Sequence, residues 1–224
     1  MRKRITISDC QQEGKIEICQ NSTDCLYDSN NEFEIPNLLL EKQAGKLVLP
    51  LVGYGSVRRQ SLAKTIHFFI DDYQFDRIWA SPDLYCNSLS RFKYVMSPDF
   101  SIYTDTPYCM QLWKHYQKQW FGCYMQVHGI DVIPTVGWAD ERSFEFCFDG
   151  IPMRSVVAVS SVGTQADKDS IRRFEIGYRR MMKVLRPTQV LFYGKVPDGL
   201  TAGINVIHIP HYFNDRFKKM RNGR

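Results

Sequence analysis

The sequence predicts an α/β fold in which successive βαβ units build a mainly parallel sheet. Short apolar runs, such as Tyr94–Met96 and Ser155–Ser160, alternate with helical stretches over residues 66–209. Continuous apolar runs of this kind are typical of strands buried on both faces, and most end in carboxylates, hydroxyls or glycines, where loops begin. Right-handed crossovers then give either a doubly wound sheet or an open, partial TIM-like barrel, since a complete barrel takes about 250 residues.

Length and composition predict one α/β domain with two appendages. The 224 residues, 44% hydrophobic and 24% charged, have the make-up of a single globular domain. We predict an irregular N-terminal arm over residues 1–45, the α/β domain over 46–212 and a basic tail over 213–224. Seven cysteines without a C-x-x-C pair predict a reduced, cytoplasmic protein. Neither a signal peptide nor a run of roughly 18 apolar residues is present, so no membrane partner is expected.

The first predicted elements are short. Turn-type clusters dominate residues 1–35, which leaves at most one short strand at Lys15–Cys19. A strand is predicted over Leu47–Val52, and a second, buried strand over Ile66–Ile70. The crossover that follows is predicted to be partly helical, with a break at Pro82.

The middle of the chain predicts a long helix and a strand that contains a proline. Thr106 and Pro107 supply an N-cap and a first-turn proline for a helix that ends at Gly129. The next strand, Asp131–Val136, contains Pro134, which cannot donate to a ladder, so a bulge or bend is predicted there. The apolar residues of the helix fall near one stripe, which is predicted to face the core: Met110, Trp113, Trp120, Tyr124 and Val127.

The last third of the chain continues the alternation of helices and strands. Asp140 is predicted to cap a short helix over Glu141–Phe148, which precedes the β-branched strand Ser155–Ser160. Strands over Gln189–Tyr193 and Ile204–Ile209 complete the sheet. The strongest helical periodicity of the chain lies between Ser160 and Gln189. It begins at Asp167 and has this apolar face: Ile171, Phe174, Tyr178, Met181, Met182 and Leu185.

Acidic side chains at successive strand ends predict a functional site. In either architecture the site is formed by the loops after the carboxyl ends of the strands. We predict catalytic roles for Asp71, Asp72 and Asp99. The residues predicted to bind the substrate follow the later strands: Trp138, Asp140, Ser160, Ser161 and Tyr193.

Carboxylates that converge in one cleft repel each other unless something compensates them. They persist when a cation is bound, when one is protonated for acid–base chemistry, or when arginines compensate their charge. The sequence therefore predicts either a Mg²⁺-type site with Asp72 and Asp99 as ligands, or an acid–base pair acting on a polar or phosphate-bearing substrate. The alternative is helix capping, which fits Asp140 well.

The positive charge lies late in the chain and leads to a second hypothesis. Residues 168–186 carry seven Lys/Arg against two Asp/Glu, and residues 215–224 carry five against one. Such a surface either binds nucleic acid through phosphate contacts or is simply the solvated back of a helix. The second hypothesis is a non-enzymatic factor that binds nucleic acid or a host protein through the tail and four arginines: Arg172, Arg173, Arg179 and Arg180.

A series of short segments resembles a known family, DUF4417. The family comprises uncharacterised proteins common in bacteriophages and mobile elements of Gram-positive bacteria. The resemblance covers about residues 65–200 and implies a phage or integrated element inside a bacterial cell, without assigning an activity. The segments that carry it are HFFIDDYQF (67–75), SPDFS (97–101), QLWKHY (111–116), DVIPTVGWAD (131–140), FCFDG (146–150), VAVSSVGT (157–164) and VLFYG (190–194).

Overall fold

The computed structural model describes residues 26–42, 51–55, 64–197, 199–200 and 205–211. The predicted strand at Lys15–Cys19, the predicted boundary at residue 45 and the basic tail lie outside these residues. The predicted division into arm, domain and tail therefore stays a prediction.

The described strands form an α/β fold with two parallel four-stranded ladders. One ladder has the order β1-β2-β3-β4 and the other β5-β6-β7-β8, so neighbours in the sheet are also neighbours in the chain. A doubly wound sheet would reverse its strand order at a switch point, and none occurs among the described strands. The strands are β1 (Leu51–Gly53), β2 (Thr65–His67), β3 (Tyr94–Met96), β4 (Val132–Ile133), β5 (Thr135–Val136), β6 (Val156–Ser160), β7 (Gln189–Tyr193) and β8 (Val206–Ile209).

Helical segments fill the connections between the strands. Two are long. The predicted start of α3 was one residue early, because its N-cap is Pro107 rather than Thr106. At the start of α4 the carboxylate of Asp167 accepts the Ser170 N–H (2.8 Å). No helix in the described part of the chain is long and apolar enough to cross a membrane. The segments are the 3-10 helices η1 (Leu40–Lys42), η2 (Asp72–Gln74) and η3 (Glu141–Glu145), and the α-helices α1 (Arg77–Ala80), α2 (Pro82–Leu89), α3 (Tyr108–Val127) and α4 (Lys168–Leu185).

The two ladders meet at Pro134, as the predicted bend requires. β4 and β5 are separated by this single residue, and β4 pairs with β3 whereas β5 pairs with β6. Proline has no N–H to donate, but its carbonyl still accepts the Ala158 N–H (2.8 Å). Pro134 is therefore a joint within one strand, and the parallel order continues across it from β1 to β8.

Side chains from both ladders share one interior core, which indicates a curved sheet. Among the described residues no pairing joins β8 back to β1, so the observed sheet is an open one. Alternate residues of the same strands face outward and pack under the helices in two further clusters. The buried interior residues are Phe69, Tyr94, Met96, Ile133, Ala158, Leu191, Tyr193 and Ile209.

Helix α3 is buried differently from the prediction. Trp120 and Tyr124 are buried as expected, but Met110 is 52% exposed, Trp113 45% and Val127 37%. The helix is covered on most sides, including by the N-terminal segment. There the side-chain amide of Gln126 accepts the Leu39 N–H (2.8 Å) and donates to the Leu39 carbonyl (3.0 Å). Its innermost face is consequently a polar one.

Candidate active site

The joint at Pro134 brings the ends of β3 and β5 side by side. The Ser97 hydroxyl accepts the Thr135 N–H (2.8 Å) and lies 3.0 Å from the Thr135 hydroxyl, both buried. Asp99 follows Ser97 by two residues, and Gly137 follows Thr135 by two residues. A Cβ placed on Gly137 would lie 3.7 Å from the carboxylate of Asp99, so the two strand ends are in contact at the carboxyl edge of the sheet.

A buried lysine completes this corner of the sheet. Lys118, from the middle of α3, has a fully buried side chain, and its Nζ lies 3.2 Å from Oδ1 of Asp99. A Cβ at position 137 would come within 3.3 Å of this Nζ, so glycine leaves room for the ammonium. The Asp99 side chain is 25% exposed, whereas the side chain of the lysine that contacts it is fully buried.

The surroundings raise the pKa of Asp99 above the usual carboxyl value. Partial removal from water is the largest cause, because it disfavours the charged form. Lys118 opposes it through its charge and its hydrogen bond, and the negative charge of Asp72 adds to it. The result is a carboxyl group that takes up a proton more readily than an exposed aspartate, as a general acid or base requires.

Asp72 influences Asp99 through its charge and is held by the loop that follows Asp99. Its carboxylate accepts hydrogen bonds from the Ser101 hydroxyl (2.8 Å) and the Ser101 N–H (3.2 Å). The Nζ of Lys114, one helical turn before Lys118, lies 3.7 Å from the same carboxylate. Each of the two carboxylates thus has a lysine nearby, Lys114 for Asp72 and Lys118 for Asp99. Their predicted roles in catalysis and metal binding stay predictions.

The face of α3 that carries Lys118 is polar although it is buried. Nε2 of His115 lies 3.0 Å from the Asp149 carbonyl, which can only accept, so this nitrogen carries the proton of the neutral ring. Burial and the charge of Lys118 lower the pKa of His115 to about 3. His115 is therefore uncharged at neutral pH and adds no second charge beside Lys118.

In the described part of the chain, the structure gives no hydrogen bond or ion pair between the Asp99–Lys118 pair and three other predicted site residues, Asp71, Trp138 and Asp140. Asp71 is exposed at the start of η2, where its side chain makes no capping hydrogen bond. The Trp138 ring packs against Phe174 (5.3 Å between ring centres). Asp140 caps η3, accepting from the N–H of Arg142 (3.1 Å) and from its guanidinium (2.9 Å). Their predicted roles in catalysis and substrate binding stay predictions.

Ser160, Ser161 and Tyr193 lie at the carboxyl ends of β6 and β7. The Ser160 hydroxyl accepts the N–H two residues on (3.1 Å), and the Ser161 hydroxyl donates to the Lys195 carbonyl (2.6 Å). Tyr193 stacks on Phe69, with ring centres 5.1 Å apart. These contacts fix the two strand ends, and a part in substrate binding stays a prediction for all three.

The arginines predicted to contact nucleic acid lie on the exposed side of α4. Arg179 is 3.8 Å from Glu175 in the same helix, and Arg173 donates to the Ser170 hydroxyl (3.0 Å). The exposed set is Arg172, Arg173, Arg179 and Arg180. Nucleic-acid binding by these residues stays a prediction.

Sequence comparisons identify the family. The profile described as "Domain of unknown function (DUF4417)" matches residues 27–212. The chain belongs to the DUF4417 family. It is 35% identical over 189 residues to the "Gene 1 protein" of Mycobacterium phage L5, which covers 83% of this chain and 80% of the relative. The "Gene 1 protein" of Mycobacterium phage D29 is 32% identical over 189 residues, covering 83% and 68%. No solved structure matches the chain.

The family match confirms the resemblance and extends it. The matched range begins before the segments quoted from residue 67 and continues past those that end at residue 194. All four charged residues of the site lie within it: Asp72, Asp99, Lys114 and Lys118. The site therefore belongs to the DUF4417 part of the chain.

Four residues of this DUF4417 site were not predicted from the sequence. They are Ser101, Lys114, Lys118 and Gly137. A signal for the lysine was present, because a stripe of polar or small residues recurs at i, i+4, i+7 and i+11 in the predicted helix: Gln111, His115, Lys118 and Gly122. The aromatic residues of the same helix outweighed this signal in the prediction.

The predicted metal site has two carboxylates near each other. Within the described residues, no group of three or more His, Cys, Asp or Glu is placed to hold a metal ion. Magnesium is often bound by only one or two carboxylates together with substrate phosphates. A cation at Asp72 and Asp99 would accordingly depend on oxygen atoms that the substrate brings.

Proposed function

We propose that this protein is an enzyme that acts on a small polar, phosphate-bearing substrate at the carboxyl ends of β3 and β5. Asp99 is the general acid–base, Lys118 tunes and orients it, and Asp72 with Lys114 lines the approach. Family membership and the phage relatives set the biological context and leave the activity open.

The observation that carries the proposal is the ion pair between Asp99 and the fully buried Lys118. Removing a lysine from water costs several kcal/mol, and a well-packed hydrophobic pair is often as stable or more stable than a buried ion pair. The fold also gives up a side chain at Gly137 to accommodate the pair. Stability alone explains neither feature, whereas a carboxylate with a raised pKa in the loop after a strand is typical of catalytic sites.

In this proposal each charge has a distinct role. Lys118 approaches one oxygen of Asp99 from the protein interior, which leaves the exposed part of the carboxyl group to give or take a substrate proton. Lys114, 31% exposed, offers a positive charge at the rim, where a substrate phosphate would lie. Asp72, fixed by Ser101, orients Lys114 and stands ready to share a divalent cation with that phosphate.

The proposal is tested by ligand-induced stabilisation. Wild type is heated with millimolar nucleoside monophosphates and sugar phosphates, each with and without Mg²⁺, and compounds that raise the melting temperature are carried forward to assays for turnover. A ligand at 100 times its dissociation constant stabilises by about 2.7 kcal/mol, which is a shift of a few degrees for a chain of this size. We expect at least one compound to stabilise the wild type and to be turned over.

Two variants distinguish the site from a general effect. Asp99→Asn should abolish turnover, and Asp167→Asn, which alters the carboxylate that caps α4, should retain it. Because Asp99→Asn leaves Lys118 without its counter-ion, Asp99→Asn/Lys118→Gln is measured as a folded, uncharged alternative. Full turnover in either Asp99 variant, or no stabilising compound in the panel, would count against the proposal. Stabilisation by Mg²⁺ alone, lost in Asp72→Asn, would indicate a resident metal site instead.

A further inference from the structure

A groove between η3 and α4 is separate from the strand-end site. Two adjoining cavities, of about 280 Å³ and about 610 Å³, lie along these helices. They share a floor formed by Phe144 and Ile176, both half-buried, and they share Glu141 on one rim. We call this surface the η3–α4 groove.

The two rims of the groove carry opposite charges. The α4 rim is basic, and among the described residues neither Arg180 nor Lys183 has an ion-pair partner. The η3 rim has Glu141 and Glu145 exposed. It also carries Arg142, whose guanidinium is paired with the carboxylate of Asp140 (2.9 Å), so the net charge of this rim is negative. The basic rim consists of Arg173, Arg179, Arg180 and Lys183.

We infer that the η3–α4 groove binds a helical segment of a partner protein that has aliphatic side chains on one face and acidic side chains along one flank. The apolar floor would receive the aliphatic side chains, and the free cations of α4 would meet the acidic flank. Positions 173 to 183 of α4 extend over about 15 Å, which matches about three turns of a helix laid alongside.

The acidic rim favours a protein partner over nucleic acid. A phosphate backbone that contacted Arg173 and Arg180 would also approach Glu141 and Glu145 across the groove, and this repulsion would weaken binding. The half-buried floor of Phe144 and Ile176 would gain nothing from phosphate or sugar. A peptide helix, in contrast, can place carboxylates on one flank and neutral residues on the other.

The inference is tested with a defined peptide probe. The probe is a 15-residue helix-forming peptide with leucines at i, i+4, i+7 and i+11 and glutamates along one flank, and its control has lysines in place of the glutamates. Binding is followed by amide chemical shifts of the full-length, isotope-labelled protein. We expect the acidic probe to shift amides of residues 141–145 and 173–183 and the lysine control to bind at least about tenfold more weakly.

A matched pair of variants completes the test. Arg180→Glu/Lys183→Glu reverses two charges on the rim, and we expect it to raise the dissociation constant of the acidic probe at least about tenfold. Lys168→Glu/Arg172→Glu makes the same charge change on α4 at exposed positions that do not line the groove, and it should leave binding unchanged. Equal binding of both peptides, equal effects of both variants, or no shifts at about 1 mM probe would overturn the inference. So would salt-dependent binding of a labelled 20-nucleotide DNA that the rim variant abolishes while the acidic peptide fails to bind.

Discussion

At the scale of single residues, Lys118 and Asp99 differ in their access to water. The lysine is fully buried and the aspartate is 25% exposed. The charge of the lysine therefore depends more on the aspartate than the charge of the aspartate depends on the lysine. Lys114 forms solvated ion pairs instead. Its side chain is 31% exposed, and its Nζ lies 3.7 Å from the carboxylate of Asp72 and 3.9 Å from that of Asp76. The two lysines, one turn apart on α3, therefore form an internal comparison of a buried and a solvated ion pair.

This comparison predicts unequal effects on stability. Lys118→Met should lower the free energy of unfolding by about 3–5 kcal/mol, because Asp99 loses its counter-ion in a partly dehydrated place. Lys118→Met/Asp99→Asn should recover most of that loss, whereas Lys114→Met should cost less than about 1 kcal/mol. Urea unfolding at pH 7 measures all three. Equal losses in the two lysine variants would show that the Lys118 pair is solvated in solution.

At the scale of the elements, α4 approaches the end of β5 closely because residue 177 is glycine. A Cβ there would overlap the indole ring of Trp138, which in turn packs on Phe174. Gly122 in α3 provides a contrast, since a Cβ there would meet the flexible end of Leu38 at 3.0 Å and the Cβ of Ser97 at 3.3 Å. Both glycines are helical, so alanine at either position gains about 1 kcal/mol of helix propensity.

We predict that the steric environment decides the sign of the two substitutions. Gly177→Ala should destabilise the protein by about 1–3 kcal/mol, because a rigid indole must leave its place and α4 must move outward. Gly122→Ala should change stability by less than about 1 kcal/mol, since a small rotation of Leu38 relieves the closest contact and the gain in helix propensity offsets the slight crowding of Ser97. Thermal unfolding followed by tryptophan fluorescence reports both effects. A stabilising Gly177→Ala would mean that α4 does not lie against Trp138.

At the scale of the whole molecule, two buried histidines make stability depend on pH. Burial lowers the pKa of His67 to about 4, with a further contribution from His211, and lowers that of His115 to about 3. In the unfolded chain both groups titrate near 6.5. Below pH 6.5 the unfolded chain therefore binds protons that the folded protein does not, so stability falls as the pH is lowered towards 4.

The loss of stability at low pH should depend on His67 in particular. Nδ1 of His67 accepts the Phe69 N–H (3.2 Å), and protonation would abolish this bond. We expect the free energy of unfolding to fall by up to about 1.4 kcal/mol per pH unit for each buried histidine between pH 6.5 and 4.5. His67→Gln should reduce this slope relative to wild type. Identical slopes in wild type and His67→Gln, measured by urea unfolding, would contradict the assignment.

The sequence predicted most of the elements because their signals are local. Tyr94–Met96 and Gln189–Tyr193 were predicted with the observed bounds, and the bend at Pro134 follows from a missing N–H. Boundaries that depend on neighbours were wrong. The strand predicted over Ile66–Ile70 is observed as Thr65–His67, because the Ile70 N–H turns back to the Phe68 carbonyl (2.8 Å).

The sequence by itself determined the α/β class, the parallel strands and the edge of the sheet where polar side chains collect. Hydrophobic periodicity, proline chemistry and the polar residues after each strand carry that information within a few positions. The tertiary structure alone decided which of those polar residues meet. Asp72 acts on Asp99 through its charge, Ser97 contacts Thr135, and Lys118 enters the site from the middle of α3. These contacts join residues 19 to 38 positions apart, and no local pattern records which face of a covered helix will point at a strand end.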